Sequence, residues 1–144
     1  MWHINIATYD VFRIVKILFL SARALSRKTI SVKAVPGAYE LSGAAIGRNA
    51  KIEISKGDVL EFELADIRGH PFWIKTVQET GSQNGVQSGI SGVAQGSISG
   101  RLIWDTNDII EETYYYVSQY QSGMGGRIRV LPEFKGTAMH KFIF

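Results

Sequence analysis

The chain contains no cysteine. That absence excludes disulfides, thiolate zinc sites, iron–sulfur clusters, cysteine nucleophiles and any copper centre that depends on a thiolate. It leaves the redox compartment open, because a thiol-free chain suits every environment. Histidine is scarce too, with only His3, His70 and His140, two of them near the termini. A histidine metal cluster or a Ser-His-Asp triad has little material to draw on, and no Gly-x-Ser-x-Gly elbow is present. Long apolar runs are missing as well. Between Asp10 and Lys28 the longest uncharged run is Ile17–Ala22, against roughly 7–15 residues for a secretory core and roughly 20 for a membrane span.

What remains is the length of one domain, 144 residues, with 45% hydrophobic, 20% charged and 11% aromatic residues. Such a composition packs a core and does not describe a disordered chain. The formal net charge of +3 is unevenly placed. Residues 1–28 hold five Lys/Arg against Asp10, a net +4, while the rest holds 11 Lys/Arg and 12 Asp/Glu, a net −1. The bulk of the protein is therefore nearly neutral. A general electrostatic case for nucleic-acid binding fails for it.

The basic segment reads as an amphipathic arm. Asp10 suits an N-cap, and Arg13, Lys16, Leu20, Arg23 and Arg27 follow helical spacing, with Val11, Ile14, Val15, Leu18, Phe19, Ala22 and Leu25 filling the rest. A strand over Val11–Phe19 is the alternative, given its β-branched residues. The expected role of Arg13, Lys16, Phe19, Arg23 and Arg27 is contact with a partner subunit. Membrane binding is not expected, and a processed signal is the lesser reading.

From Thr29 onward, short alternating runs alternate with turn signals. Ile30, Val32 and Ala34 share one face, as do Ile52 and Ile54. In Val59–Leu64, residues Leu60, Phe62 and Leu64 face the core while Glu61 and Glu63 face solvent. Lys56-Gly57-Asp58 between the last two runs reads as a hairpin turn. Further strands are expected at Phe72–Val77, Arg101–Trp104, Thr113–Val117 and Arg127–Val130. Seven or eight strands with no internal helix predict an all-β Greek-key sandwich over residues 29–132, followed by a tail at 133–144.

Between Gln78 and Gly100 the texture changes to glycines at 81, 85, 89, 92, 96 and 100 interleaved with Ser and Gln. A flexible excursion and a binding loop are equally compatible with it. The acidic set Asp105, Asp108, Glu111 and Glu112 lacks the spacing of a calcium loop and reads as a solvated face.

Two segments carry a recognisable pattern: Gly69-His-Pro-Phe-Trp-Ile-Lys-Thr76 and Tyr115-Tyr-Val-Ser-Gln-Tyr-Gln-Ser-Gly-Met-Gly-Gly-Arg-Ile-Arg-Val130. Together they resemble the cupredoxin family, whose Gly-His-Pro-Phe strand and Tyr-Tyr-x-Cys-x-x-His-x-x-Met-x-Gly-x-Ile-x-Val stretch hold one copper. The resemblance spans about Thr29–Leu131. It implies that His70 sits at the first histidine position, Ser118 at the cysteine, Gln121 at the second histidine and Met124 at the axial methionine. Serine and glutamine cannot replace thiolate and imidazole for copper, so no metal and no cofactor is expected, and no enzyme activity. The expected role of the four is packing and mutual hydrogen bonding.

The Gly-His-Pro-Phe-Trp-Ile-Lys-Thr phrase with its downstream Gly/Ser-rich stretch is also similar to domains in virion structural proteins of tailed phages. That resemblance implies a capsid decoration, tail or fibre-associated protein in a virion, with other virion subunits or copies of itself as partners. The alternative is an exported relative, periplasmic or secreted, with lost or weak metal binding.

Overall fold

The computed structural model describes residues 26–132. The readings placed on Arg13, Lys16, Phe19 and Arg23, and on the tail 133–144, lie outside the described residues. Ten strands build two sheets: β1 (Arg27–Val35), β2 (Ala38–Gly43), β3 (Gly47–Arg48), β4 (Ile52–Ser55), β5 (Val59–Leu64), β6 (Phe72–Lys75), β7 (Ile90–Gly92), β8 (Gly100–Asp105), β9 (Thr113–Ser118) and β10 (Gly125–Leu131). One sheet has the order β3-β2-β1-β5-β8-β7 and the other β4-β10-β9-β6. The expected all-β sandwich is the observed architecture. β2, β3 and β7, absent from the sequence reading, raise the strand number.

The alternating apolar residues meet between the sheets. Ile30, Val32, Leu60, Phe62, Leu102 and Trp104 come from one, and Ile54, Phe72, Ile74, Tyr116, Ile128 and Val130 from the other. At the centre, the rings of Tyr39 and Phe62 lie against Phe72, with centroids 5.4 and 4.9 Å away. Such aromatic packing adds to the burial of the rings themselves.

Three findings differ from the sequence reading. First, Arg27 and Lys28 belong to β1, pairing in parallel with Val59 and Leu60 of β5; the sheet begins two residues before the boundary at Thr29, and Arg27 is not on a helix. Second, Lys56-Gly57-Asp58 is not a hairpin turn. β4 and β5 lie in different sheets, and the three residues form a corner between them. Asp58 builds it: its carboxylate accepts from Ser55 N at 2.9 Å and Ser26 Oγ at 2.8 Å, and its carbonyl accepts from the buried Thr106 hydroxyl at 2.6 Å. Alternation fixes which face of a strand is apolar, not which sheet the strand joins. Third, Glu61 is on the outer face but only 4% exposed. Arg27 at 3.0 Å and Arg101 at 3.1 Å cover it from the flanking strands.

The Gly/Ser-rich stretch is ordered chain built onto the free edge of β6. Phe72 N donates to Ser97 O, Gly96 N to Phe72 O, Val86 N to Ile74 O and Thr76 N to Asn84 O. Where main chain is out of reach, Gln95 substitutes: its Oε1 accepts from Ile74 N at 2.8 Å and its Nε2 donates to Ile74 O at 2.8 Å. Lys75, with no exposed surface, donates to the carbonyls of Thr80 and Gly81 at 3.2 and 2.6 Å. Burial lowers its pKa, with Glu79 acting in the opposite direction.

Phe62→Ala should lower stability by about 3–5 kcal/mol through lost burial and cavity formation. Glu61→Ala should cost about 1 kcal/mol, because its arginine partners are more than half exposed and screened. Glu40→Ala, exposed on the outer face of β2, should change stability by less than about 0.5 kcal/mol. Denaturant unfolding of the three variants checks that order, and a Glu61 effect no larger than that of Glu40 would show that the covered carboxylate contributes nothing.

Candidate functional site

The positions singled out in the two motif segments converge at one end of the sandwich. His70 precedes β6, its N–H donating to Ile67 O at 3.0 Å and its carbonyl accepting from the Tyr39 hydroxyl at 2.6 Å. Ser118 ends β9, directly across the ladder from Phe72. The loop from Gln119 to Met124 then turns back into β10. It is closed by Ser118 N donating to Met124 O at 2.9 Å and Gln119 N to Pro71 O at 2.9 Å.

Ser118 is completely buried, and its hydroxyl organises the turn. The oxygen accepts from Gln121 N at 3.2 Å and, at a longer 3.4 Å, from Tyr120 N. His70 Nδ1 lies 3.4 Å from the same hydroxyl. Met124 is buried in the core beside them. Gln121 reaches Ser118 through its backbone rather than its side chain. A cavity of about 30 Å³ lined by Ser118, Gln121, Met124 and Thr80 among others leaves space for about one water molecule.

Two further residues hold this end together: Asn49, which did not stand out in the sequence, and Tyr116, which did so only as part of the Tyr-Tyr pair of the second motif. Asn49, at φ 46°, accepts through Oδ1 from Tyr39 N and Gly125 N, both at 3.0 Å, and donates through Nδ2 to Gly123 O at 3.2 Å. One amide thus ties β2 of the larger sheet to the β9–β10 turn of the smaller. Tyr116 donates to Ala50 O at 2.7 Å across the same seam. Gly125 has φ 147°, and a Cβ there would strike the Tyr116 carbonyl, so the tight return into β10 requires glycine. Signals for Asn49 were local at best: a lone Asn after Gly-Arg marks a turn, not a staple between sheets.

The donors present do not fit a blue-copper ion. One imidazole, a hydroxyl engaged with the backbone, an amide and a buried thioether supply neither the thiolate nor the second imidazole. No group of three or more His, Asp or Glu side chains that could hold a metal occurs among the described residues. Asp105, Asp108, Glu111 and Glu112 are exposed, with Asp105 Oδ1 accepting from Asn107 N in a local turn at 3.0 Å.

The sequence matches no known family model and no curated protein. Among solved structures it is similar to two cupredoxins. One is rusticyanin from Thiobacillus ferrooxidans, 20% identical with a TM-score of 0.46, covering 73% of this chain and 76% of that one. The other is pseudoazurin from Hyphomicrobium denitrificans, 14% identical with a TM-score of 0.41, covering 73% of this chain and 75% of that one. A copper nitrite reductase from Nitrosomonas europaea is 15% identical with a TM-score of 0.38, over 74% of this chain and 41% of that one. The fold itself stands on the strand order and register described above.

Two predictions arise here. Equilibration with Cu(II) followed by metal analysis should leave no stoichiometric copper and no intense visible charge-transfer absorption. The double change Ser118→Cys with Gln121→His should introduce such absorption, because both positions face the His70 end of the sandwich. Coloured stoichiometric copper in the unchanged protein would refute the hydrogen-bonding role given to Ser118.

The second concerns alkaline pH. Burial raises the pKa of Tyr39 and Tyr116 above the ordinary 10.0. Unfolded chains lose these protons near pH 10 while the fold retains them. Their stabilising contribution is therefore full below about pH 10 and is lost as pH rises beyond it. Thermal unfolding followed from about pH 9 to about pH 12 should show that loss, shallower in Tyr116→Phe. An unchanged slope in that variant would contradict the assignment.

Proposed function

We propose that this chain is a non-enzymatic structural and binding module, built on a two-sheet scaffold whose metal-ligand positions are closed by hydrogen bonds. The observation that carries this reading is the Ser118 hydroxyl, wholly buried and engaged by Gln121 N and His70 Nδ1. A hydroxyl with no exposed surface, tied to the backbone of its own turn, is out of reach of a substrate or a metal ion. It fastens the β9–β10 turn.

The finer reading is a virion component, in a capsid decoration, tail or fibre-associated position, with other virion subunits or copies of this chain as partners. It rests on the resemblance read from the sequence in the 69–76 phrase and the Gly/Ser-rich stretch after it. The two segments form one unit here. Gln95 bonds Ile74, and Gly85 and Gly96 lie so close to the Trp73 ring that a Cβ would approach it to 2.8 and 3.1 Å. Attachment falls to the residues before the sheet, where Arg13, Lys16 and Arg23 stand against Asp10, a net +2, beside many apolar side chains.

The test compares the full chain with one starting at Ser26, which keeps Ser26 O paired to Val59 N and all of β1. The shorter chain should stay folded and monomeric by light scattering, yet fail to cosediment with particles from the native source. If it assembles and attaches as well as the full chain, residues 1–25 are not an attachment arm, and a removable targeting segment of an exported protein becomes the better account.

A further inference from the structure

Beside β6, the chain from Thr76 to Gln95 encloses an open groove of about 1000 Å³. Trp73 forms part of its wall, Ile90 and Val93 supply apolar surface, and the exposed Gln83, Gln87 and Ser91 supply amide and hydroxyl groups. No Asp, Glu, Lys, Arg or His lines it. Two charged groups touch lining residues from outside: Lys75 Nζ, donating to the Thr80 and Gly81 carbonyls, lies 5.7 Å from the Trp73 ring centroid, and Glu79 accepts from Asn84 Nδ2.

That lining selects a class of ligand. Without a cation or a carboxylate, the groove offers nothing to a phosphate, a sulfate, a uronic acid or a metal ion. Amides and hydroxyls each donate and accept, which suits a molecule rich in hydroxyls that do both. The Trp73 ring packs against Gly85 and Gly96 and is partly exposed; what it leaves open is apolar wall that suits the weakly positive C–H groups of a pyranose. An added peptide strand is disfavoured, because the free edge of β6 that could pair with it already bonds Ser97, Gln95, Asn84 and Val86. The walls are also set in advance. Gln95 makes three hydrogen bonds, to Ile74 N, Ile74 O and Val86 O, so little ordering remains to oppose binding.

We propose that this groove binds a neutral saccharide, with the Gln83 and Gln87 amides as its hydroxyl partners and the exposed part of Trp73 as apolar wall. The site extends the binding role above, yet it involves neither residues 1–25 nor the Ser118 end.

The experiment titrates the full chain with neutral malto-, cello-, manno- and xylo-oligosaccharides, an oligouronate and an uncharged peptide, following backbone amide and indole resonances. At least one neutral oligosaccharide should shift resonances of residues 82–95 and the Trp73 indole with millimolar or tighter affinity, and the oligouronate should bind at least tenfold more weakly. Gln87→Ala, an exposed change, should weaken binding about fivefold, Trp73→Phe more, and Glu40→Ala not at all. No shifts from any neutral oligosaccharide at tens of millimolar would overturn the proposal. Shifts confined to another surface, equal binding of the oligouronate, or occupation of the groove by the peptide instead would overturn it equally. Failure of the particle-attachment test leaves this result unaffected, so the two readings stand or fall separately.

Discussion

The free edge of β6 is the constraint on which most of this molecule turns. A four-residue strand at the margin of a sheet presents N–H and C=O groups that must be paired or left to solvent. Here the next stretch of chain folds back and pairs them, using its own backbone at residues 84, 86, 96 and 97 and the side chain of Gln95 between. Once that edge is covered, Trp73 and Lys75 on the outer face of β6 are covered with it. Trp73 needs flat neighbours, and Gly85 and Gly96 provide them. Lys75 needs acceptors, and two loop carbonyls provide those. A glycine-rich composition that suggests mobility is in this position a requirement of close packing.

The other end of β6 shows how a turn can be held without a metal. Four side chains from distant parts of the sequence meet there: Tyr39 and Asn49 bond across the seam between the sheets, and Ser118 bonds the Gln121 backbone beside His70. Each bond contributes about 1 kcal/mol net. The larger effect is geometric, because every buried acceptor that lost its donor would carry an uncompensated desolvation cost. Neutral groups serve this role without a charge to desolvate. The indole nitrogen of Trp104 is the exception among the described residues, buried with no hydrogen-bond acceptor; its ring meets Tyr114 edge-on at 4.9 Å, a contact that compensates in part.

How much of this was legible in the sequence follows from the range of each interaction. The alternation in Val59–Leu64 gave the buried face correctly, and the resemblance of the 69–76 and 115–130 segments to the cupredoxin motif placed Ser118 and Met124 at the same end as His70. Both signals are local. The sheet to which β4 and β5 belong was not local, so Asp58 looked like a hairpin residue although it anchors a corner. Glu61 looked solvated because alternation reports direction, whereas burial here comes from Arg27 and Arg101 on two other strands. Asn49 and Gln95 were invisible for the same reason. A polar side chain that substitutes for main chain has no periodicity to betray it.

The distribution of charge then separates two kinds of recognition within one chain. Residues 1–26 carry Arg13, Lys16 and Arg23 among many apolar side chains, a combination that gains from a partner covering both. The groove beside β6 has the opposite character, uncharged and rimmed by amides. Long-range attraction would draw the first toward an acidic surface and would weaken with salt. The second has no field to steer a ligand, so its selectivity must come from shape and from hydrogen bonds made at contact. These two sensitivities differ enough that salt alone distinguishes them: attachment through the basic segment should fade as ionic strength rises, while occupancy of the neutral groove should hold.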